Sequence, residues 1–230
     1  MPHSFRSGLL SSLLLVLLTL QPLSAAEISA PRKAASTSQG ADATGAQVIL
    51  VLGDSLTEGY GNTKEQAFPA LLEKRLNHSS RSAERHKFTV INGGVSGSTT
   101  ASGLSRFKWY LKAHPSILIL ALGANDGLRG VSVQQTRKNL ADVVELALKN
   151  RMKVLIAGMK MPPNYGKAYT REFEALFKDL SHSYQIPMIP FLLEGVAAHP
   201  DLNIEDGIHP NPKGHEIISR TVDRYLEPLL

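Results

Sequence analysis

The chain contains no cysteine. Disulfides, thiolate metal sites, iron–sulfur clusters, cysteine nucleophiles and lipid-bearing cysteines are all excluded by that absence. A domain of about 200 residues buries enough surface to fold without covalent staples, so an oxidising compartment stays open. Aromatic residues are scarce, at 6% with a single Trp, and the core must therefore be aliphatic. No apolar run reaches the ~20 residues that a membrane span needs. The best candidate, residues 9–20, is interrupted by Ser11, Ser12 and Thr19. Strong charge of one sign is also lacking. The formal net charge is +5, and the densest basic stretch, residues 81–87, is broken by Glu84. Nucleic-acid binding, which needs clustered cations, is not expected. A transient contact with an anionic membrane surface is compatible with this modest charge.

What is present begins with an export pattern. Arg6 precedes the apolar stretch 9–20, Pro22 breaks it, and Ser24 and Ala26 supply small residues at positions −3 and −1 of a cleavage site. Residues 1–26 read as a secretory signal peptide cleaved near Ala26, which places the protein in the periplasm or outside the cell. Residues 27–46 are rich in Ala, Ser, Thr and Gly without apolar periodicity, and read as a flexible leader. Residues 47–230 then form the domain.

Short apolar runs at 48–52, 88–91, 117–122, 154–157 and 187–190 alternate with helical patterns at about 69–76, 100–112, 132–150, 168–184 and 213–226. Ser132 and Gln135 have the spacing of a capping box. Val144, Leu146 and Leu148 are expected on the core side of the helix that they open. Phe173, Leu176, Phe177 and Leu180 mark the next buried face, and Ile217, Ile218, Val222 and Leu226 the last. Continuous apolar strands alternating with helices imply a single three-layer α/β/α domain with a five-stranded parallel sheet and right-handed crossovers. Ligands of such sheets bind beyond the carboxyl ends of the strands.

Four segments carry candidate chemistry, and three of them fall at or just after such strand ends. Gly53-Asp54-Ser55-Leu56 follows the first strand and offers Ser55 as a nucleophile. It is not the G-x-S-x-G elbow, because position 57 is Thr. Gly97, after the second strand, offers a backbone N–H. Asn125, after the third, offers a side-chain amide to an oxygen that develops negative charge. Asp206 and His209, three apart before the last helix, can share a hydrogen bond that orients an imidazole base. Each motif alone has an ordinary structural reading as a turn, cap or loop. Their joint presence, in this order, points to acyl transfer with Ser55, His209 and Asp206 as catalytic residues. The N–H groups of Ser55 and Gly97 and the Asn125 amide would form the oxyanion hole. Leu128, Met159 and Tyr165 are expected in substrate binding, and residues 127–132 as a substrate lid. His209 and His215 lack a third ligand, and no metal or organic cofactor is expected.

These same residues carry a family resemblance. Residues 51–60, with Gly97, Asn125 and the pair Asp206 and His209, resemble the sequence blocks of the SGNH hydrolases, also called the GDSL lipase/esterase family. Gly127-Leu128-Arg129-Gly130 and Asn164-Tyr165-Gly166 are most similar to its periplasmic thioesterase/lysophospholipase and arylesterase branch. Ser98 departs from that branch, where Asp often follows the glycine. The resemblance implies a flavodoxin-like sheet and a serine esterase acting on small acyl esters, thioesters or lysophospholipids; a monomer is the default expectation. A carbohydrate acetylesterase, and a non-catalytic lipid-binding module on the same fold, are the alternatives.

Overall fold

The computed structural model describes residues 46–78 and 87–230. The signal peptide, the leader up to residue 45 and most of the basic stretch 81–87 lie outside the described residues. Five strands, β1 (Gln47–Gly53), β2 (Phe88–Gly94), β3 (Ile117–Ala121), β4 (Lys153–Ala157) and β5 (Met188–Ile189), form one sheet in the order β2-β1-β3-β4-β5. Every pairing is parallel. This is the flavodoxin-like doubly wound order. The helices are α1 (Ser55–Glu58), α2 (Phe68–His78), α3 (Gly103–Tyr110), α4 (Ala124–Leu128), α5 (Val133–Lys149), α6 (Lys167–Tyr184) and α7 (Pro212–Leu226). Helices α2 and α7 pack together, while α3, α5 and α6 pack as a second group.

The central strands β1 and β3 form because their side chains are apolar on both faces. All residues of β1 after Gln47 are buried, as are all five of β3. Burial of one such aliphatic side chain stabilises the fold by roughly 1.5–3 kcal/mol. One helix face differs from the sequence expectation. On α5 the buried residues are Val133, Thr136, Leu140, Val143, Val144 and Ala147, while Leu146 is half-buried and Leu148 exposed. The face follows the 3.6-residue period through 140, 143, 144 and 147, not the every-second-residue series 144, 146, 148. Helix α2 buries Phe68, Pro69, Leu72 and Leu76. Half of the capping box is present. Ser132 Oγ accepts from Gln135 N–H at 3.2 Å, but the Gln135 amide donates to Asn139 Oδ1 at 2.8 Å.

In this order the chain leaves β1 for β2 on one side and then crosses to β3 on the other. The crevice beyond β1 and β3 is thus the topological switch point. Residues 54–58 follow β1 there, and residues 124–128 follow β3.

Candidate active site

Ser55 opens the short helix α1 at the end of β1. Asp54 caps that helix, its Oδ1 accepting from Leu56 N–H at 3.0 Å. His209 arrives from 154 residues away, and its Nε2 lies 2.9 Å from Ser55 Oγ. Its Nδ1 lies 2.6 Å from Asp206 Oδ2. The other oxygen of Asp206 accepts from the N–H groups of Ile208 (2.9 Å) and His209 (3.0 Å). Desolvation pushes the Asp206 pKa up, but the hydrogen bonds from His209 N–H, the His209 ring and Ile208 N–H outweigh it and hold the group at about 2. An ionised carboxylate only accepts hydrogen bonds. The proton between it and the ring therefore sits on Nδ1, and Nε2 faces the serine hydroxyl as an acceptor.

The loop that presents His209 is bracketed rather than free. Asn203 and Pro210 form an antiparallel bridge, Ile204 N–H donates to His209 O at 2.8 Å, and Asn211 N–H donates to Leu202 O at 2.9 Å. Asn211 then caps α7, accepting from Lys213 and Gly214, with Pro212 in the first turn. Asn62, just beyond the serine's helix, donates to Pro210 O at 2.9 Å. The Tyr60 ring packs on the His209 ring at 4.7 Å.

Gly97 lies at φ +74°, a backbone state that L side chains rarely adopt. A Cβ there would meet only Arg129 Nη2, at 3.6 Å. The glycine is thus required by conformation and not by crowding. Its turn is anchored to α4 from one side. The Asn125 amide donates to Ser98 O at 3.0 Å, Arg129 Nη2 to Gly97 O at 3.0 Å, and Thr100 N–H to buried Asp126 at 2.9 Å. An amide nitrogen carries two hydrogens, so Asn125 keeps one for a ligand. Arg106 Nη2 donates to the carbonyls of Gly53, at 3.0 Å, and Gly93, joining the strand ends that bear the two loops.

A cleft of about 570 Å³ opens beside Ser55, Asn125 and His209. Leu128, Met159, Met161, Phe191, Leu193 and Ile208 give it an apolar wall. Leu128 and Met159, expected in substrate binding, line it. Tyr165, also expected there, does not. Its hydroxyl instead donates to Leu128 O at 3.1 Å and braces the end of α4. The segment 127–132, expected as a lid, is tied down: Tyr169 donates to Val131 O at 2.9 Å, and Val131 N–H to Asp126 O at 3.0 Å. The sequence reading missed Glu58, Tyr60, Arg106, Phe191 and Ile208. Glu58 and Tyr60 fall inside the first block but carry no nucleophile or donor signature. Arg106 acts on carbonyls, which no side-chain motif reveals.

His215 is buried in α7, away from any metal arrangement. Phe68 N–H donates to its Nδ1 at 3.3 Å, and its ring stacks on Phe68 at 6.4 Å. Among the described residues no group of three or more His, Asp or Glu side chains could hold a metal.

Two buried groups here titrate in opposite senses. Desolvation lowers His215 from 6.5 to about 4, and desolvation raises Asp54 from 3.8 to about 6. Below pH 6.5 the unfolded chain protonates His215 while the folded one resists, so acidification towards 4 destabilises the fold. For Asp54 the folded state takes up the proton first, so the same acidification stabilises it. Thermal melts at pH 6.5 and pH 4 resolve the two against wild type. The acid change in Tm shifts towards destabilisation in Asp54→Asn and towards stabilisation in His215→Gln. Equal acid changes in all three proteins would contradict the assignment.

Comparison with known proteins gives the family. The model of the GDSL-like lipase/acylhydrolase family matches residues 51–217. The thioesterase 1/protease 1/lysophospholipase L1 of Escherichia coli K12 is 34% identical over 189 residues, 82% of this chain and 87% of its own. An arylesterase of Vibrio mimicus is 37% identical over 179 residues, 77% of this chain and 87% of its own. The crystal structure of TesA superimposes with a TM-score of 0.74 at 36% identity, covering 80% of this chain and all of that one. The chain therefore belongs to the GDSL-like lipase/acylhydrolase family and is a hydrolase of ester bonds.

Proposed function

We propose that this protein is an exported serine esterase that cleaves carboxylic esters or thioesters of acyl substrates, with Ser55 as nucleophile, His209 as base and Asp206 as its orienting carboxylate. The hydrogen-bond chain from Ser55 Oγ through the His209 ring to Asp206 carries this reading. His209 Nε2 takes the hydroxyl proton as Ser55 Oγ attacks the substrate carbonyl. The N–H groups of Ser55 and Gly97 and the free hydrogen of the Asn125 amide receive the oxyanion. The imidazolium then returns its proton to the leaving alcohol or thiol. Water, deprotonated by the same ring, releases the acid. The apolar cleft is the acyl site, with Leu128 and Met159 in its wall.

Residues 1–26 act as a cleaved signal peptide and 27–46 as a leader to the hydrolase domain at 47–230, which works as a monomer in the periplasm or outside the cell. An apolar wall running up to the serine favours acyl chains over acetyl groups, and so ranks the lipid-directed reading above a carbohydrate acetylesterase.

Initial rates on p-nitrophenyl esters of increasing acyl length, for residues 27–230, test the assignment. A maximum beyond acetate is expected. A maximum at acetate would transfer the protein to the acetylesterase reading. On the best ester, Asn125→Ala is expected to lower kcat by about 10²–10³. An Asn125→Ala protein within twofold of wild type would remove that amide from the oxyanion hole.

A further inference from the structure

The turn that carries Gly97 is held from two sides, and one of them is the nucleophile's own helix. Ser98 N–H donates to Val95 O at 3.1 Å and closes the turn. Within it, the N–H of Ser96, at 2.7 Å, and its hydroxyl both donate to one carboxylate oxygen of Glu58. Glu58 ends α1, the helix that Ser55 opens. That helix is closed by Glu58 N–H on Asp54 O at 2.9 Å and Gly59 N–H on Ser55 O at 3.0 Å. It also lies hard against β2: a Cβ on Gly94 would come within 2.1 Å of Glu58 N. Asn92, in the same strand, donates to Glu58 O at 3.4 Å. Ser55, one turn of helix, the Glu58 carboxylate, Ser96 and Gly97 thus form one continuous chain of bonds.

We propose that Glu58 is a positioning residue for catalysis, its carboxylate gripping Ser96 so that the Gly97 N–H is held at a fixed place relative to Ser55 Oγ. The proposal rests on the roles assigned above to Ser55 and Gly97. Oxyanion donors act only when they are already in place for the developing charge, and a supporting contact that sets their position acts on kcat. Hydrogen bonds to a carboxylate are stronger than neutral ones. Both partners are solvent-exposed, so the grip contributes little to global stability. Asn125 and Arg129 retain the far side of the turn when the grip is lost. The turn then tilts away from Ser55 while the fold survives.

The test is steady-state kinetics on the best p-nitrophenyl ester, with thermal melts and the rate of inactivation by a fluorophosphonate. Glu58→Ala is expected to lower kcat roughly tenfold, a part of the ~10²–10³ that losing a whole oxyanion donor costs. KM and Tm stay close to wild type, and fluorophosphonate inactivation slows in parallel. Glu58→Gln keeps an oxygen for Ser96 and recovers most of the rate. Adding Ser96→Ala to Glu58→Ala brings no further loss, because the partner is already gone. A wild-type kcat in Glu58→Ala overturns the proposal. So does a kcat loss that Glu58→Gln fails to recover. Ser55→Ala, run alongside, separates the two levels. If it is active, the site reading itself fails. If it is inactive while Glu58→Ala is fully active, only the positioning role fails.

Discussion

Ser55→Ala lowers kcat for ester hydrolysis by about 10⁶, the cost of losing the nucleophile in a comparable triad. The size follows from geometry. Ser55 Oγ is the one hydroxyl hydrogen-bonded to the His209 ring among the described residues, and no neighbouring side chain can replace it. The substitution removes one oxygen at a half-buried position. The Asp54 cap on Leu56 does not involve that oxygen, so α1 and the melting temperature are preserved. What survives is binding and oxyanion stabilisation, which alone give a residual ~10³–10⁴ over water. Activity in Ser55→Ala within tenfold of wild type would rule out Ser55 as the attacking group.

Asp206→Asn is expected to lower kcat by about 10⁴, as in a triad whose carboxylate becomes an amide. In the native protein Asp206 makes the imidazole carry its proton on Nδ1, because an ionised carboxylate can only accept. An Asn side chain can instead present its NH₂ to Nδ1, which moves the ring proton to Nε2. Nε2 would then donate towards Ser55 and could not take its proton. The Asn oxygen can still accept the N–H groups of Ile208 and His209, so the bracket around His209 persists. The loss should therefore fall on kcat without unfolding. A separate consequence appears in acid. Asp206 holds its proton only below about 2, against 3.8 ordinarily. Its contribution to stability is present above pH 3.8 and fades as pH falls towards 2.

Much of this site was legible in the sequence, for a physical reason. Ser55 and Asn125 stand just beyond strands whose apolar runs are buried on both faces, and such strands announce themselves without a partner; Gly97 follows the half-buried edge strand β2, whose short apolar start is still visible. The parallel order then brings their ends together. Asp206 and His209 were legible because their role depends on a local spacing of three residues. What escaped was set by packing. The last part of β2, Asn92-Gly93-Gly94, carries no apolar signal. It is a strand because β1 pairs with it through Gly53 opposite Gly94. The helix expected at 100–112 breaks into α3 with a 3₁₀ turn at each end, a local tightening that periodicity does not resolve. Tyr165 is expected in substrate binding, whereas its hydroxyl donates to Leu128 O. Glu58 reaches across to the Gly97 turn and Arg106 to the ends of β1 and β2, and no pattern along the chain encodes such contacts.

The most direct test of the central claim is covalent labelling of the active enzyme. Residues 27–230 would be inactivated with a fluorophosphonate, digested, and mapped by mass spectrometry. One equivalent of adduct is expected, on the peptide that contains Ser55 and on that residue within it, with loss of activity in proportion. An adduct on another residue, or full inactivation with Ser55 unmodified, would contradict it.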